Sequence, residues 1–526
     1  MFLKSNGFQL FLAALIGAVV LMLPRPEGTM FKISGDPSRA LLAGIQAQFE
    51  LAGPLLSSPD VYIVQAIPHG NAEATAEFLR EKANELALLN TRIDYVDGLP
   101  PKAHRFLAML AVLIFLFVFE PVPLEIITIC IGVFLVALGI TDVKGAWAPY
   151  MHPVVVFIMC CLIFAVSAER AGLTRRLGFF IIRLAGTSLI RFTFILAIGL
   201  GIASCFMHDA AACAIGVVTL QPLMRAARIQ PHSNTAKFMM LSLPFATSCG
   251  GMGSLIGGGR CMVSAAFLKE FTGIEISFFE WIQFAGPAAL ITVPIAVFIV
   301  YLFFRPEKGI ELPAFDESAG AWSRVEIKTL LISLATLMLW LTKGLHGIDY
   351  SITGMMGVSA LILFDVLTWD DIHSNLEWGT ALFIFGGSIS LGLAMAYSGA
   401  ANYFATLLFP LIKYGGWLLL FIGVGVLGAL ATNVMANVVA AALILPIAIP
   451  LAQMEGVDPR IIALCLGTAS SFAMLRVIAC PPNAIAFSYR YFKASDLTKV
   501  GLVATPILLG VLVIVAAIWW KFLGMI

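Results

Sequence analysis

Hydrophobic positions in this chain fall into long blocks rather than alternation. From Arg105 to the C-terminus, about ten apolar stretches of about twenty residues each follow one another, parted by short polar turns. That is the length a helix needs to cross hydrocarbon, so the pattern predicts about 11 membrane spans once the separate run Phe8–Leu23 is included. The run at Phe8–Leu23 follows Lys4, lacks a small-residue cleavage site and ends in Leu-Pro-Arg-Pro. It reads as a retained first span over residues 1–24, with the N-terminus in the cytoplasm of an inner membrane, rather than as a signal peptide.

One segment breaks the pattern. Residues 25–103 are polar, with an alternating run at Val61–Ala66 and a helical run at Glu73–Leu89. They are expected to form a small extramembrane α/β module on the periplasmic side. The loop cations Arg175, Arg176, Arg225, Arg228, Lys237, Arg305 and Lys308 fall where a cytoplasmic N-terminus puts the cytoplasm, as the positive-inside rule requires.

The polar segment Pro306–Arg324 parts the membrane portion into a first repeat (104–310), a linker (311–326) and a second repeat (327–526). The halves echo each other. Val156–Leu177 parallels Ala381–Tyr403, Ser204-x4-Asp209 lies 228 positions before Thr432-x4-Asn437, and Ala246–Cys261 lies 222 positions before Thr468–Asn483. An odd number of spans per half makes the repeats inverted. In such carriers, interrupted helices meet near the bilayer midplane and leave backbone groups free for solute and ion.

Four interruptions stand out. Ser204–Cys213 places His208 and Asp209 inside an apolar run suited to a re-entrant hairpin, where ionisable groups are costly and mark function or a structural ion pair. Ser248–Arg260 holds six glycines between Gly250 and Gly259, which favours unwound chain that an anion can approach. It has no GK[ST] ending and no preceding strand, which excludes a phosphate loop. Arg260, at its end, is either an anion ligand or the partner of Asp209. Ala431–Pro446 carries Thr432, Asn433 and Asn437, whose oxygens suit a cation and whose amides suit a carboxylate, or which simply bond between helices. Met474–Phe487 carries Arg476 and the pair Pro481-Pro482, which removes two N–H donors and forces a break.

Composition agrees with the blocks. The 526 residues are 60% hydrophobic and 12% charged, with mean hydropathy +0.95, against roughly 45–50% and about 25% in soluble domains. Net charge is +1 with no basic block, which excludes a nucleic-acid partner. The nine cysteines lie in or beside apolar segments without metal-ligand spacing and are expected to be reduced and packed. There is no HExxH and no GxSxG, so neither an enzyme nor a bound cofactor is expected.

At the four breaks the chain resembles the divalent anion:sodium symporter family, the dicarboxylate and sulfate carriers of the wider ion-transporter superfamily. The likeness runs from Ala103 onward through Glu120–Ile126 ("EPVPLEI"), Ala168–Leu177 ("AERAGLTRRL"), Leu376–Met395 and, most specifically, Ala479–Ser488 ("ACPPNAIAFS"). It implies an all-α polytopic transporter of two inverted repeats, a homodimer working like an elevator, with a small anion as substrate and sodium as coupling ion. It also implies a substrate site at the two hairpin tips. In the family these read Ser-Asn-Thr; here they read His208-Asp209-Ala210 and Ala436-Asn437-Val438, so only Asn437 is kept. Cys480 and Pro481 of the fourth break, with Arg260 and Arg476, complete the expected substrate set. The sodium ligands carry over unevenly: Thr432, Asn437 and the Ala479 carbonyl match in the second half, Ser204 and the Gly257 backbone in the first, where Asp209 replaces a neutral residue.

That replacement suggests two mechanisms. Asp209 with His208 carries a proton, or a fixed cation among His208, Arg260 and Arg476 stands in for a sodium charge and favours exchange. Arginines near the site suit a carboxylate, sulfate or sulfonate through forked hydrogen bonds. The alternative is a cation/proton antiporter or arsenite-type exporter of the same superfamily, which an aspartate at the first hairpin suits and the Pro-Pro-Asn segment opposes.

Overall fold

The computed structural model describes residues 6–25, 30–34, 50–52, 61–65, 79, 81, 92–96, 99–185, 188–307, 310, 312, 320–412 and 415–526. After α1 (Asn6–Met22), the first repeat comprises α2 (Pro101–Phe119), α3 (Leu124–Ala137), α4 (Pro153–Ala171), α5 (Leu173–Ala185), α6 (Leu189–Ala203), α7 (Asp209–Ala226), α8 (Asn234–Gly250), α9 (Gly259–Thr272) and α10 (Phe278–Phe303). The second comprises α11 (Arg324–Leu341), α12 (Tyr350–Leu363), α13 (Phe385–Tyr397), α14 (Ala400–Ile412), α15 (Gly416–Thr432), α16 (Asn437–Met454), α17 (Pro459–Ala469), α18 (Pro481–Ser488) and α19 (Ala494–Val515). Hydropathy alone put the repeat starts at 104 and 327. The helices begin earlier, at Pro101, where proline occupies the first turn, and at Arg324, where Ser323 and Glu326 form a capping box ahead of the apolar face.

Packing partners are exchanged between the repeats. α4 packs on α12 while α13 packs on α3; α9 packs on α16 while α18 packs on α7; and α10 packs on its own counterpart α19. A twofold relation between the halves produces this exchange. With α2, α3, α4, the α8–α9 pair and α10 as crossings, each half crosses an odd number of times, so the second is inverted. Six helical stretches among the described residues are long and apolar enough to cross a membrane unaided. Among the described residues, three of the shorter apolar helices, α6, α15 and α17, are halves of the two hairpins (α6–α7, α15–α16) or of a broken helix (α17–α18).

All four interruptions lie where the sequence places them. The first broken helix and first hairpin are pressed together: a β-carbon on Gly250 would lie 1.7 Å from the Gly201 carbonyl oxygen, so only glycine permits the approach. α8 is buried on every face from Phe238 to Gly250. α1 belongs to the same bundle, with His104 Nε2 2.9 Å from the Val20 carbonyl oxygen.

Within 25–103, strands β1 (Met30–Ser34), β2 (Glu50–Ala52), β3 (Val61–Gln65) and β4 (Arg92–Val96) form an antiparallel sheet in the order β2-β3-β1-β4. β3 is the alternating run. The helical run Glu73–Leu89 lies outside the described residues except for Leu79 and Glu81.

Gly250→Ala is expected to lower stability by about 3 kcal/mol or more, because the clash is with backbone rather than a mobile side chain. Gly423→Ala, where nothing lies within 4 Å, is the matched control and should leave the melting temperature of detergent-purified protein unchanged or slightly raised.

Candidate functional site

Four helices begin at one cavity. α7 starts at Asp209 behind the N-cap His208, α16 at Asn437 behind Ala436, α9 at Gly259, and α18 at Pro481 behind Cys480. The cavity has a volume of about 760 Å³, and His208, Asp209, Ala210, Arg260, Ala436, Asn437, Val438, Ala479, Cys480 and Pro481 all line it. First-turn N–H groups have no partner inside their own helix and carry partial positive charge, so convergent N-termini favour an anion. α18 adds least, because Pro481 and Pro482 carry no N–H.

Arg260 is the partner of Asp209 and is held on three sides. Nη1 donates to Asp209 Oδ2 (2.8 Å), Nη2 to the Ser248 carbonyl (3.0 Å) and Nε to Ser471 Oγ (2.7 Å), with the side chain 1% exposed. Its guanidinium thus satisfies chain that the broken helix leaves without partners. The first hairpin tip docks on the same break, as the Asp209 N–H donates to the Gly257 carbonyl at 3.0 Å. Ser204 Oγ donates to the Gly201 (2.7 Å) and Thr247 (2.9 Å) carbonyls.

Asp209 Oδ1 is buried without a hydrogen-bond donor. It faces His208 Nδ1 at 3.3 Å, and that nitrogen already accepts from the Ala210 N–H at 3.3 Å. Two acceptors therefore face each other.

The second repeat is satisfied differently. Asn433 Oδ1 accepts from the Leu475 N–H (2.7 Å) while its Nδ2 donates to the Ala429 carbonyl (2.6 Å), and Asn483 Nδ2 donates to the carbonyls of Ala473 (2.8 Å) and Arg476 (3.1 Å). Neutral amides do here what a cation does in the first half. Asn437 is 7% exposed, and its side chain makes no hydrogen bond among the described residues. Among those residues no bond joins its N–H to the Ala479 carbonyl, as Asp209 joins Gly257. Thr432 Oγ1 donates to the Ala429 carbonyl at 3.1 Å, which leaves its oxygen lone pairs uncommitted.

Not every expected residue reaches the cavity wall. Ser204, Gly257 and Thr432 lie buried behind it. Arg476 does not line it: with extended backbone (φ −128°, ψ 149°) its side chain is exposed, within electrostatic reach of Glu120, which does line the cavity. The mouth, in contrast, carries residues that sequence reasoning missed as site residues: Glu120, Glu125, Glu169, Glu377 and Arg175. Their only signal was position, since each is a charge in or beside the end turn of a helix. Ser471, the third Arg260 partner, had none. The literal Ser233-Asn234-Thr235 is a helix cap, with Ser233 Oγ accepting from the Ala236 N–H at 3.1 Å. Among the described residues, no three His, Cys, Asp or Glu side chains form a metal cluster.

An all-helical bundle of inverted repeats, with both hairpin tips and both helix breaks meeting at one cavity, is the architecture of a membrane transporter. Comparison with known proteins narrows this. The profile of the sodium:sulfate symporter transmembrane region matches residues 89–526, and the chain belongs to that family. It is a multi-pass anion transporter and not an enzyme. A transporter of Haemophilus influenzae is 25% identical over 434 residues, covering 80% of this chain and 92% of the relative. The sodium-dependent dicarboxylate transporter SdcS of Staphylococcus saprophyticus is 23% identical over 457 residues, covering 81% and 87%. Among solved structures, MtrF of Neisseria gonorrhoeae, described as illuminating a class of antimetabolite efflux pumps, aligns with a TM-score of 0.51 at 13% identity over 97% of this chain and 94% of its own. That likeness is one of fold alone.

Removing one partner of a buried ion pair leaves the other charge unpaired. Arg260→Gln is expected to lower stability by about 3–5 kcal/mol. The double variant Asp209→Asn/Arg260→Gln should recover most of it, which a double-mutant cycle on melting temperatures checks.

Proposed function

We propose that the protein is a secondary carrier of a small oxyanion of the dicarboxylate or sulfate class, coupled to sodium at the second repeat and working by alternating access. The observation that carries this reading is the convergence of four helix N-termini and the unpaired Asn437 amide on one cavity. Arg260 pairs with Asp209, one of the residues that the family resemblance assigns to the first-repeat sodium site. A tethered guanidinium neutralises Asp209 but does not travel with the solute. The exchangeable cation is therefore placed in the second repeat, on Thr432 Oγ1, the Asn437 side chain and the Ala479 carbonyl. The name of SdcS, a relative at 23% identity, supports sodium and a dicarboxylate.

The acidic mouth fits coupled entry. Glu120, Glu125, Glu169 and Glu377 repel a bare dianion and draw cations inward, so the anion is bound at depth together with its counter-ion. The end where the cavity opens carries Arg175, Arg176, Arg225 and Arg228, which supports a cytoplasmic placement and hence an N-terminus inside in an inner membrane. A homodimer follows from the family resemblance.

A second reading rests on Asp209 Oδ1. A proton taken up between it and His208 Nδ1 would satisfy both acceptors, which makes proton coupling at the first repeat the rival of sodium at the second.

Uptake of labelled succinate, sulfate and a sulfonate into proteoliposomes, with sodium, proton or internal-substrate gradients imposed in turn, tests both. Sodium-driven uptake is expected. Thr432→Val and Asn437→Ala should each weaken the apparent sodium affinity by about tenfold, the worth of one lost ligand interaction of about 1–1.5 kcal/mol. Uptake driven by a proton gradient and flattened in His208→Gln would select the second reading. Anion counterflow indifferent to both cations would make the protein an exchanger, and movement of no anion under any gradient would overturn the proposal.

A further inference from the structure

We propose that a second, shallower cavity binds the phosphoryl group of an anionic lipid. The site lies where the α7–α8 connection meets the α18–α19 connection, and it is independent of the transport reading. His232, Arg490 and Lys493 line it together with the Ser488 hydroxyl, over a floor formed by Phe487 and Phe492. His232 (φ +65°) and Arg490 (φ +59°) both adopt the left-handed conformation that side chains rarely take. The His232 N–H donates to the Tyr491 carbonyl at 3.0 Å, which ties the two loops together.

The charge here is uncompensated. Among the described residues none of the three basic side chains forms an ion pair, and all three are exposed. The adjacent carboxylate, Asp496, is already committed: Oδ2 accepts from the Lys493 N–H (3.0 Å) and Oδ1 from Lys237 Nζ (3.1 Å). Four other cations at the ends of the bundle are answered by carboxylates: Arg176 by Glu326, Arg170 by Asp371, Lys343 by Glu275 and Arg460 by Asp458. A phosphoryl group, with two or more negatively shared oxygens, supplies what these three side chains lack. Basic pockets at the ends of membrane helices take lipid headgroups by this chemistry.

The surroundings favour a lipid over free phosphate. α19 leaves the pocket and, beyond the exposed Lys499, presents Leu502, Val503 and Ile507 as exposed apolar side chains that an acyl chain could cover. The bound lipid braces two loops that belong to different repeats.

The test uses full-length protein in detergent, with melting temperature followed on adding phosphatidylglycerol, phosphatidylcholine or inorganic phosphate. Phosphatidylglycerol is expected to raise it by about 3 °C, with no comparable effect of phosphatidylcholine. Arg490→Gln/Lys493→Gln should lose the shift, while Asn437→Ala, a variant of the other cavity, keeps it. Native mass spectrometry in a mixture of the two lipids gives a second readout on the wild type that does not depend on the variant folding. Retained phosphatidylglycerol adducts are expected. Equal stabilisation by phosphatidylcholine, no preferential retention of phosphatidylglycerol, an undiminished shift in the double variant, or the full shift from inorganic phosphate alone would each overturn the proposal.

Discussion

In hydrocarbon a backbone N–H or C=O has no water to fall back on, and each one left without a partner costs several kcal/mol. This chain interrupts four helices inside its membrane portion, so everything about its site depends on how the resulting free groups are answered. Some are answered by protein: Arg260 and Asn483 turn back from the first turns of α9 and α18 to donate to carbonyls of their own breaks. Others face the cavity from the starts of α9 and α16, whereas the first two N–H groups of α7 are taken by the Gly257 carbonyl and His208 Nδ1. The division between the two groups separates scaffold from binding site.

That division was only half legible in the sequence. The offsets of 228 and 222 between the halves located both hairpin tips and both breaks, because a membrane tolerates glycine runs, tandem prolines and polar residues within apolar runs chiefly where a helix is interrupted. Which polar residue does what was not legible. Asn433 and Asn437 look alike in a string of letters, yet Asn433 is spent on Leu475 and Ala429, whereas Asn437 has no partner among the described residues. Arg260 and Arg476 are both cations at a break. One is consumed by Asp209, and the other is exposed, within electrostatic reach of Glu120. Hydropathy fixes depth and chain reversal but not the torsions that aim a side chain. It also misses helix starts such as Pro101 and Arg324, where capping chemistry extends the helix beyond the apolar run.

Charge follows the same asymmetry. Asp209 and Arg260 cancel within the first repeat, so neither adds net field to the cavity. What attracts an anion at depth is then partial charge from helix N-termini, together with His208 and the Asn437 amide. This is a softer field than free arginines would give. Under the proposed reading, a dianion held by helix termini alone, behind four carboxylates at the mouth, would be under-compensated, and a cation bound nearby would restore the balance.

The two halves thus answer one problem by unlike means, and the difference bears on the proposed function. A guanidinium fixed in the first break is present in every state of the cycle, so it stabilises loaded and empty forms alike and cannot link solute movement to an ion gradient. A link requires a site whose occupancy changes between those forms. In the second repeat the tip is not bonded to its break at the position where Asp209 meets Gly257, and Asn437 stands without a partner among the described residues, so a cation there would gain contacts only when bound. Differential occupancy of that kind is the only thermodynamic route by which a gradient can bias a conformational equilibrium.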